Sequence, residues 1–363
     1  MPNSKLLNAN TRHALNVIRV GNMEARKFLP VLINAREEIQ KRLAKAGTNI
    51  ATKKELKLIN KDLTEKLRSI YADYAEELVR DIRPIVKAEY EFQKTTLTTA
   101  IDQTVNIKAP TQAAAINKAL TVPMAVGTKG AGQLLNNLLK QFPIRESERV
   151  VNRITMGFFQ GETVAEISTS ITGTKAANYR DGLLNISRAQ AFTLAKTAVT
   201  QAQEQAKQEL YKNNQDIVAG YEIIATLDSK TSQICRGYDG QIFLYKDGPG
   251  PMPPFHYNCR STTAPVLDER FTVDTKSTRA SVGATGGKQV DANKTYYTWL
   301  KDQPAEFQND ALGNTQGKIF RNAGLTPEEF RTASVNRFNQ PLSIDEMARK
   351  DARIAEYLSK NDS

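Results

Sequence analysis

Three side chains in one short stretch hold most of the reactive chemistry of this chain. Cys235 and Cys259 are its two cysteines, and His256 is one of two histidines in 363 residues. The spacing is Cys-x20-His-x2-Cys. Two thiolates and one imidazole are good zinc ligands, and a tetrahedral site needs one more. Asp228 and Asp239 flank Cys235 and are the candidate fourth ligands, as is water. Structural zinc sites usually take four Cys/His ligands in two close pairs, and here the first pair is missing. A second reading therefore stands beside the metal: both cysteines are small buried apolar groups and His256 hydrogen-bonds to a loop. A Cys–His nucleophile is the third, and it needs a low-pKa thiol, an orienting acid and an oxyanion hole. No strand–nucleophile–helix motif, Walker loop, Gly-x-Gly-x-x-Gly or carboxylate cluster accompanies it, so no enzyme is expected. Arg236 and Arg260 adjoin the cysteines. They suit an anion or an internal pairing with Asp228 and Asp239, and the internal pairing is the expectation.

The surrounding pattern is mostly helical. Residues 12–46 place Phe28, Leu32, Ala35, Ile39 and Leu43 on one face, with Pro30 expected to break or kink the run near its middle and Gly47 to end it. Thr52-Lys-Lys-Glu55 is a capping box. After it, Leu56, Ile59, Leu63, Leu67, Ile70, Tyr74, Leu78, Ile82 and Ile85 form a long apolar seam, interrupted near its end at Pro84, beyond which a kinked continuation to about Thr99 is expected. Residues 104–131 form a linker with one short helix at 112–120 and a Gly127-Thr-Lys-Gly-Ala-Gly132 segment. Further helices follow at Leu134–Leu139 and Val150–Phe159, and Gly161–Ile167 turns into another short one. Residues 186–213 carry a stripe of small residues, Ala191, Ala195, Ala198, Ala202 and Ala206, that lets another backbone approach closely.

Two short strands are expected, at 220–227 and 241–245, joined by the cysteine-bearing loop and the Asp239-Gly240 turn. Residues 273–293 are rich in Thr, Ser, Gly, Ala and Lys without periodicity, which predicts a flexible linker. Trp299, Phe307, Leu312, Ile319, Phe320, Leu325 and Phe330 supply a small apolar set for a helical tail, where Thr326-Pro-Glu-Glu329 starts a helix. The expected fold class is mainly α with a small α+β module: long N-terminal helices, a short antiparallel sheet around 217–267, and a helical C-terminal tail. The expected division is 1–103, a linker at 104–131, a module at 132–272, a linker at 273–293, and a tail at 294–363.

Fifty Lys and Arg face thirty-nine Asp and Glu, a formal net charge of +11. Such an excess suits either a solvated surface or contact with a polyanion, most often nucleic acid. No apolar run is long enough to span a membrane, and the start lacks the apolar core of a signal peptide. A reducing cytoplasm is therefore expected during folding, which favours thiols or a metal over a Cys235–Cys259 disulfide.

The block Thr226-Leu-Asp-Ser-Lys-Thr-Ser-Gln-Ile-Cys235, then Asp239-Gly-Gln-Ile-Phe, then Pro253-Pro-Phe-His-Tyr-Asn-Cys259-Arg-Ser-Thr-Thr-Ala-Pro265 resembles the Mu F-like minor head protein family of tailed bacteriophages, also called phage head morphogenesis proteins. Lys230 stands where the family often has arginine, and Ser232 where some members carry a further cysteine. The resemblance spans 186–267 and extends more weakly to Trp299–Gln308, Leu312-Gly and Lys318–Arg321. It implies a structural, low-copy protein of the phage head, located in the virion and in the host cytoplasm during assembly. The implied partners are the portal protein, the major capsid or scaffold proteins, and phage DNA bound without sequence preference and delivered at ejection. The alternatives are a phage-delivered Cys/His-dependent enzyme and a non-specific DNA-binding protein of the virion.

Overall fold

A computed structural model describes residues 4–101, 104–126, 132–271 and 276–361. The chain begins with α1 (Ser4–Arg26), α2 (Phe28–Leu43), α3 (Lys53–Ala100), α4 (Gln112–Thr121), α5 (Leu135–Gln160) and α6 (Val164–Thr172). Next, α7 (Leu184–Lys212) leads into β1 (Val218–Ile224), α8 (Gln233–Tyr238), β2 (Ile242–Leu244) and β3 (Thr262–Leu267). A hairpin of β4 (Thr278–Gly283) and β5 (Gly286–Asp291) follows. The tail is α9 (Tyr296–Lys301), α10 (Ala305–Leu312), α11 (Asn314–Asn322), α12 (Pro327–Ala333), α13 (Ile344–Lys350) and α14 (Ala352–Asn361). The chain is thus mainly α, with small antiparallel sheets and a helical tail. Its two compact units are 1–17, 88–111 and 204–363 for the first, and 18–87 and 112–203 for the second. Helices α1, α3 and α7 divide between them, so neither unit is one continuous segment.

The second unit is all helical. The expected face of α2 is buried at all five positions, Phe28 to Leu43. Pro30 breaks nothing, because it sits in the first turn of α2, where N–H groups have no acceptor within the helix. The break falls before it, at Lys27. Gly47 stops the following 3-10 turn at φ 67°. Thr52 accepts from the Glu55 N–H at 3.1 Å, while the Glu55 carboxylate accepts from Ala51 N–H at 2.8 Å, one residue earlier than in a true capping box. Helix α3 continues through Pro84 to Ala100, close to the expected continuation to about Thr99. Beyond the proline, Val86 takes the inward position and Ile85 is half-buried. Phe28, Tyr71, Tyr74 and Phe142 pack as one aromatic cluster with centroids 4.9–6.1 Å apart. The small-residue stripe begins here at Ala191, fully buried as expected. The Gly127–Gly132 segment falls at 127–131 outside the described residues.

The first unit holds the sheet. Its order is β2-β1-β3, antiparallel throughout. Strand β3 is a third strand beside the two expected, and it falls within the sheet region expected at 217–267. Pro265 is tolerated because β3 lies at the edge of this sheet, paired with β1 on one side only. Behind the sheet, α7 presents Glu204 and Lys207, whose side chains are both fully buried. Lys207 Nζ donates to Glu204 at 3.2 Å and to the Thr263 carbonyl at 3.1 Å, and it also bonds Thr262 Oγ1. The two threonine hydroxyls donate to Glu204 at 2.6 and 2.8 Å. A buried pair is tolerable only when its remaining hydrogen bonds are met in this way.

Residues 278–291 correct the expected linker: β4 and β5 pair along their whole length. Gly286 at φ 94° makes the tight turn after Ala284-Thr285. Val282 N–H donates to the Leu227 carbonyl at 2.8 Å, which fastens the hairpin beside the β1 exit. The tail packs on one core of Leu227, Tyr296, Tyr297, Trp299, Phe320, Phe330 and Met347. Thr326 and Glu329 form the expected cap of α12.

Candidate functional site

The loop from β1 to β3 brings Cys235, His256 and Cys259 together, with all three ligand atoms within 4.8 Å of one another. Ser232 sits just before α8 and its hydroxyl accepts from Cys235 N–H at 3.4 Å, which sets the start of the helix and turns the Cys235 side chain inward. Asn258 takes φ 59°, a left-handed conformation that asparagine tolerates, and the chain turns there so that His256 and Cys259 face the same point. Both sulfurs are buried, and His256 is half-buried.

The sulfur–sulfur separation suits a tetrahedral ion, and the sulfur–imidazole distance is shorter than one would set. The sulfurs are 3.7 Å apart and Cys235 Sγ lies 3.2 Å from His256 Nε2. Zinc bonds of ordinary length would set these separations at about 3.8 and about 3.6 Å. His256 Nδ1 faces the Tyr257 carbonyl at 2.8 Å, so a neutral ring carries its proton there and turns the Nε2 lone pair toward the sulfurs. Burial opposes charge on Cys259, yet Cys235 and His256 favour its thiolate more, and its pKa falls well below the usual thiol value. The neighbouring Cys259 sulfur, with burial adding to it, pushes Cys235 well above. Burial lowers His256, but its hydrogen bond and attraction to Cys259 outweigh this and raise it.

Neither candidate fourth ligand joins them. Asp228 is held by Arg260, Oδ2 to Nη1 at 2.5 Å and Oδ1 to Nη2 at 2.9 Å, and it also accepts from Thr231 Oγ1 at 2.9 Å. Burial raises its pKa, but the Arg260 bond and charge more than reverse that, so it stays ionised. Asp239 accepts from the N–H groups of Ala225 at 2.6 Å and Tyr296 at 2.7 Å, and from Arg279 at 3.0 and 3.2 Å. Both carboxylates are bound to arginine and donors of their own. The group beside the imidazole is Ser232, whose Oγ lies 2.8 Å from His256 Nε2. A cavity of about 210 Å³ opens at this point, lined by Lys230, Ser232, Cys235, His256 and Arg260 among others.

Residues 148–264 match the family model described as Phage Mu protein F like protein. Over this segment the chain is similar to the Mu F-like phage head morphogenesis family. No curated protein and no solved structure matches the chain. The Mu F-like segment begins within α5 and ends within β3, so it includes α7, the sheet and the whole Cys/His loop. Among the described residues no helix is long and apolar enough to cross a membrane.

The internal arginine pairing is half as expected. Arg260 holds Asp228, but Arg236 donates to the Ala311 carbonyl at 2.7 Å and lies over the Tyr296 ring. Arg279 takes the place foreseen for Arg236. It lies outside the Mu F-like segment, in the stretch expected to be a linker, and is 1% exposed. Its signal was available: the glycines around Ala284-Thr285, flanked by Val282 and Val290, are hairpin chemistry.

Proposed function

We propose that this protein is a structural component of a tailed-phage head that docks on the portal during assembly in the host cytoplasm and stays in the virion. The observation that carries this reading is the Mu F-like match over residues 148–264. One feature supports docking as the physical role. Large apolar side chains stand in solvent on three helices of the second unit: Ile33 on α2, Leu58 on α3, and Met156 and Phe159 on α5. Phe159 alone is 66% exposed. Isolated exposed apolar residues need no explanation, but several on the helices of one unit suit burial against a partner.

In this reading Cys235, His256 and Cys259 hold a zinc ion, with Ser232 or a water at the fourth position. The ion staples α8 to the 253–259 loop and performs no reaction. Burial of both sulfurs supports the staple, since a nucleophilic thiol must reach its substrate.

Mass spectrometry of purified procapsids and mature heads tests the assignment. The protein should be present at low copy in both, and Met156→Glu with Phe159→Glu should reduce its incorporation while leaving the purified protein folded. Absence from both particles refutes the head reading. Normal incorporation of the variant refutes the docking face.

A further inference from the structure

On the first unit, away from the Cys/His loop, a cleft of about 1130 Å³ lies where α8 and β2 meet α12, α13 and the segment joining them. Its walls carry four cations, Arg331, Arg337, Arg349 and Lys350, and one carboxylate, Glu346. That carboxylate caps its own helix, accepting from the Ser343 N–H at 2.8 Å and hydroxyl at 2.9 Å. Two of the cations build the walls. Lys350 Nζ donates to the carbonyls of Thr332 and Val335, both at 2.6 Å, and Arg331 donates to the Gly237 carbonyl at 3.1 Å. The other two are exposed, and among the described residues neither Arg337 nor Arg349 has an acidic partner. Phe338 lines the same cleft, 60% exposed, with the Arg337 guanidinium 4.6 Å from its ring centre.

Concave walls bearing one sign of charge focus the field and concentrate counter-charge. An acidic peptide would need only the cations. An exposed ring beside unpaired arginines adds a stacking face, which is what unpaired bases use and a duplex does not present. We propose that this cleft binds a single-stranded nucleic acid segment, with backbone phosphates on Arg337 and Arg349 and a base on Phe338. The inference rests on this cleft and stands apart from the head reading; head incorporation can fail without touching it.

Fluorescence anisotropy of the full chain with a labelled oligo-dT, and with a duplex of equal length, tests it. The single strand should bind more tightly than the duplex. Arg337→Gln with Arg349→Gln should weaken it by about tenfold at low salt. Lys54→Gln with Lys57→Gln, an equal charge change on the exposed side of α3, should leave it nearly unchanged. Each single-strand phosphate contributes about 0.7 to the salt slope, so two contribute about sevenfold when salt rises about fourfold. The wild-type affinity should therefore fall about sevenfold further than that of the arginine variant over that range. Phe338→Ala should weaken the single strand by about fivefold or more and leave the duplex unchanged. Equal loss in the Lys54/Lys57 variant overturns the proposal in favour of diffuse charge. Displacement of the oligonucleotide by polyglutamate at equal charge concentration overturns it in favour of an acidic peptide. Should the arginine variant unfold, hydrogen exchange on the wild type decides: the oligonucleotide must protect residues 331–350, and protection elsewhere overturns the assignment.

Discussion

Replacing Asp239 by alanine removes the acceptor on which the centre of the first unit converges. The N–H groups of Ala225 and Tyr296 reach it at 2.6 and 2.7 Å, and Arg279 at 3.0 and 3.2 Å. Those N–H groups come from the β1 exit and the start of α9, while Arg279 comes from the hairpin, so three segments meet on one carboxylate. Two buried N–H groups lose their partner, at about 1–3 kcal/mol each. A guanidinium that is 1% exposed loses its counter-charge, and breaking a buried pair costs about 3–5 kcal/mol. These effects overlap, and about 5 kcal/mol is the expected loss, close to the whole stability of an ordinary domain. Arg279→Met should cost less, about 3 kcal/mol, because Asp239 keeps both N–H donors. The double variant strands no charge, so its loss should fall short of the sum by about 2 kcal/mol. Trp299 is the only tryptophan of the chain, is 2% exposed and packs 5.4 Å from the Tyr296 ring. Urea titrations followed by its emission therefore read this unit directly. A loss below about 1 kcal/mol for Asp239→Ala, or strict additivity in the double variant, refutes the reasoning.

Glu222 on β1 adds a pH dependence: burial and the charge of Asp239 push its carboxyl up to about 7, against the pull of Arg279. A folded value above the unfolded one means that its contribution is complete below about pH 4.5 and is lost as pH rises through about 7, by up to about 3 kcal/mol. Trp299 unfolding midpoints at about pH 5 and about pH 8 should differ in that direction, and Glu222→Gln should narrow the difference. Purified protein should carry about one zinc per chain by elemental analysis, and Cys259→Ser should abolish it. Ser232→Cys places a thiolate at the position whose Oγ now lies 2.8 Å from the imidazole, and should slow zinc loss to a chelator on the order of tenfold; an unchanged rate refutes the fourth-position reading. Phe28→Ala in the aromatic cluster should destabilise the second unit by about 3–5 kcal/mol, read by far-UV circular dichroism, and a loss under about 1 kcal/mol refutes that cluster as its core.

Helices were the legible part of this fold because their signals are local. The Phe28–Leu43 face, the Thr326 cap and the alanine stripe of α7 each repeat within a few residues, and burial follows them. Prolines misled for the same reason. Pro30 reads as a break or kink and Pro84 as an interruption with a kinked continuation, but what a proline costs depends on whether its turn needs the N–H and on how much packing holds the helix on either side. The hairpin at 278–291 was missed because its residues are polar and small. It is held by the buried Arg279 and by the bond to Leu227, both made to residues distant in the chain.

What the sequence determined by itself was the identity of the three ligand candidates and the family that their stretch resembles. Two cysteines, one histidine and the Pro-Pro-x-His-x-Asn-Cys-Arg run are covalent facts, and their combination is specific. Which carboxylate belongs to which arginine was decided only in three dimensions. Asp228 and Asp239 look equivalent along the chain, each near a cysteine and each with an arginine at hand. Folding gave one to Arg260 and the other to Arg279, forty residues beyond it, and left Ser232 beside the imidazole. Charge pairing and metal geometry depend on distances of a few ångströms, and only the packed chain sets those.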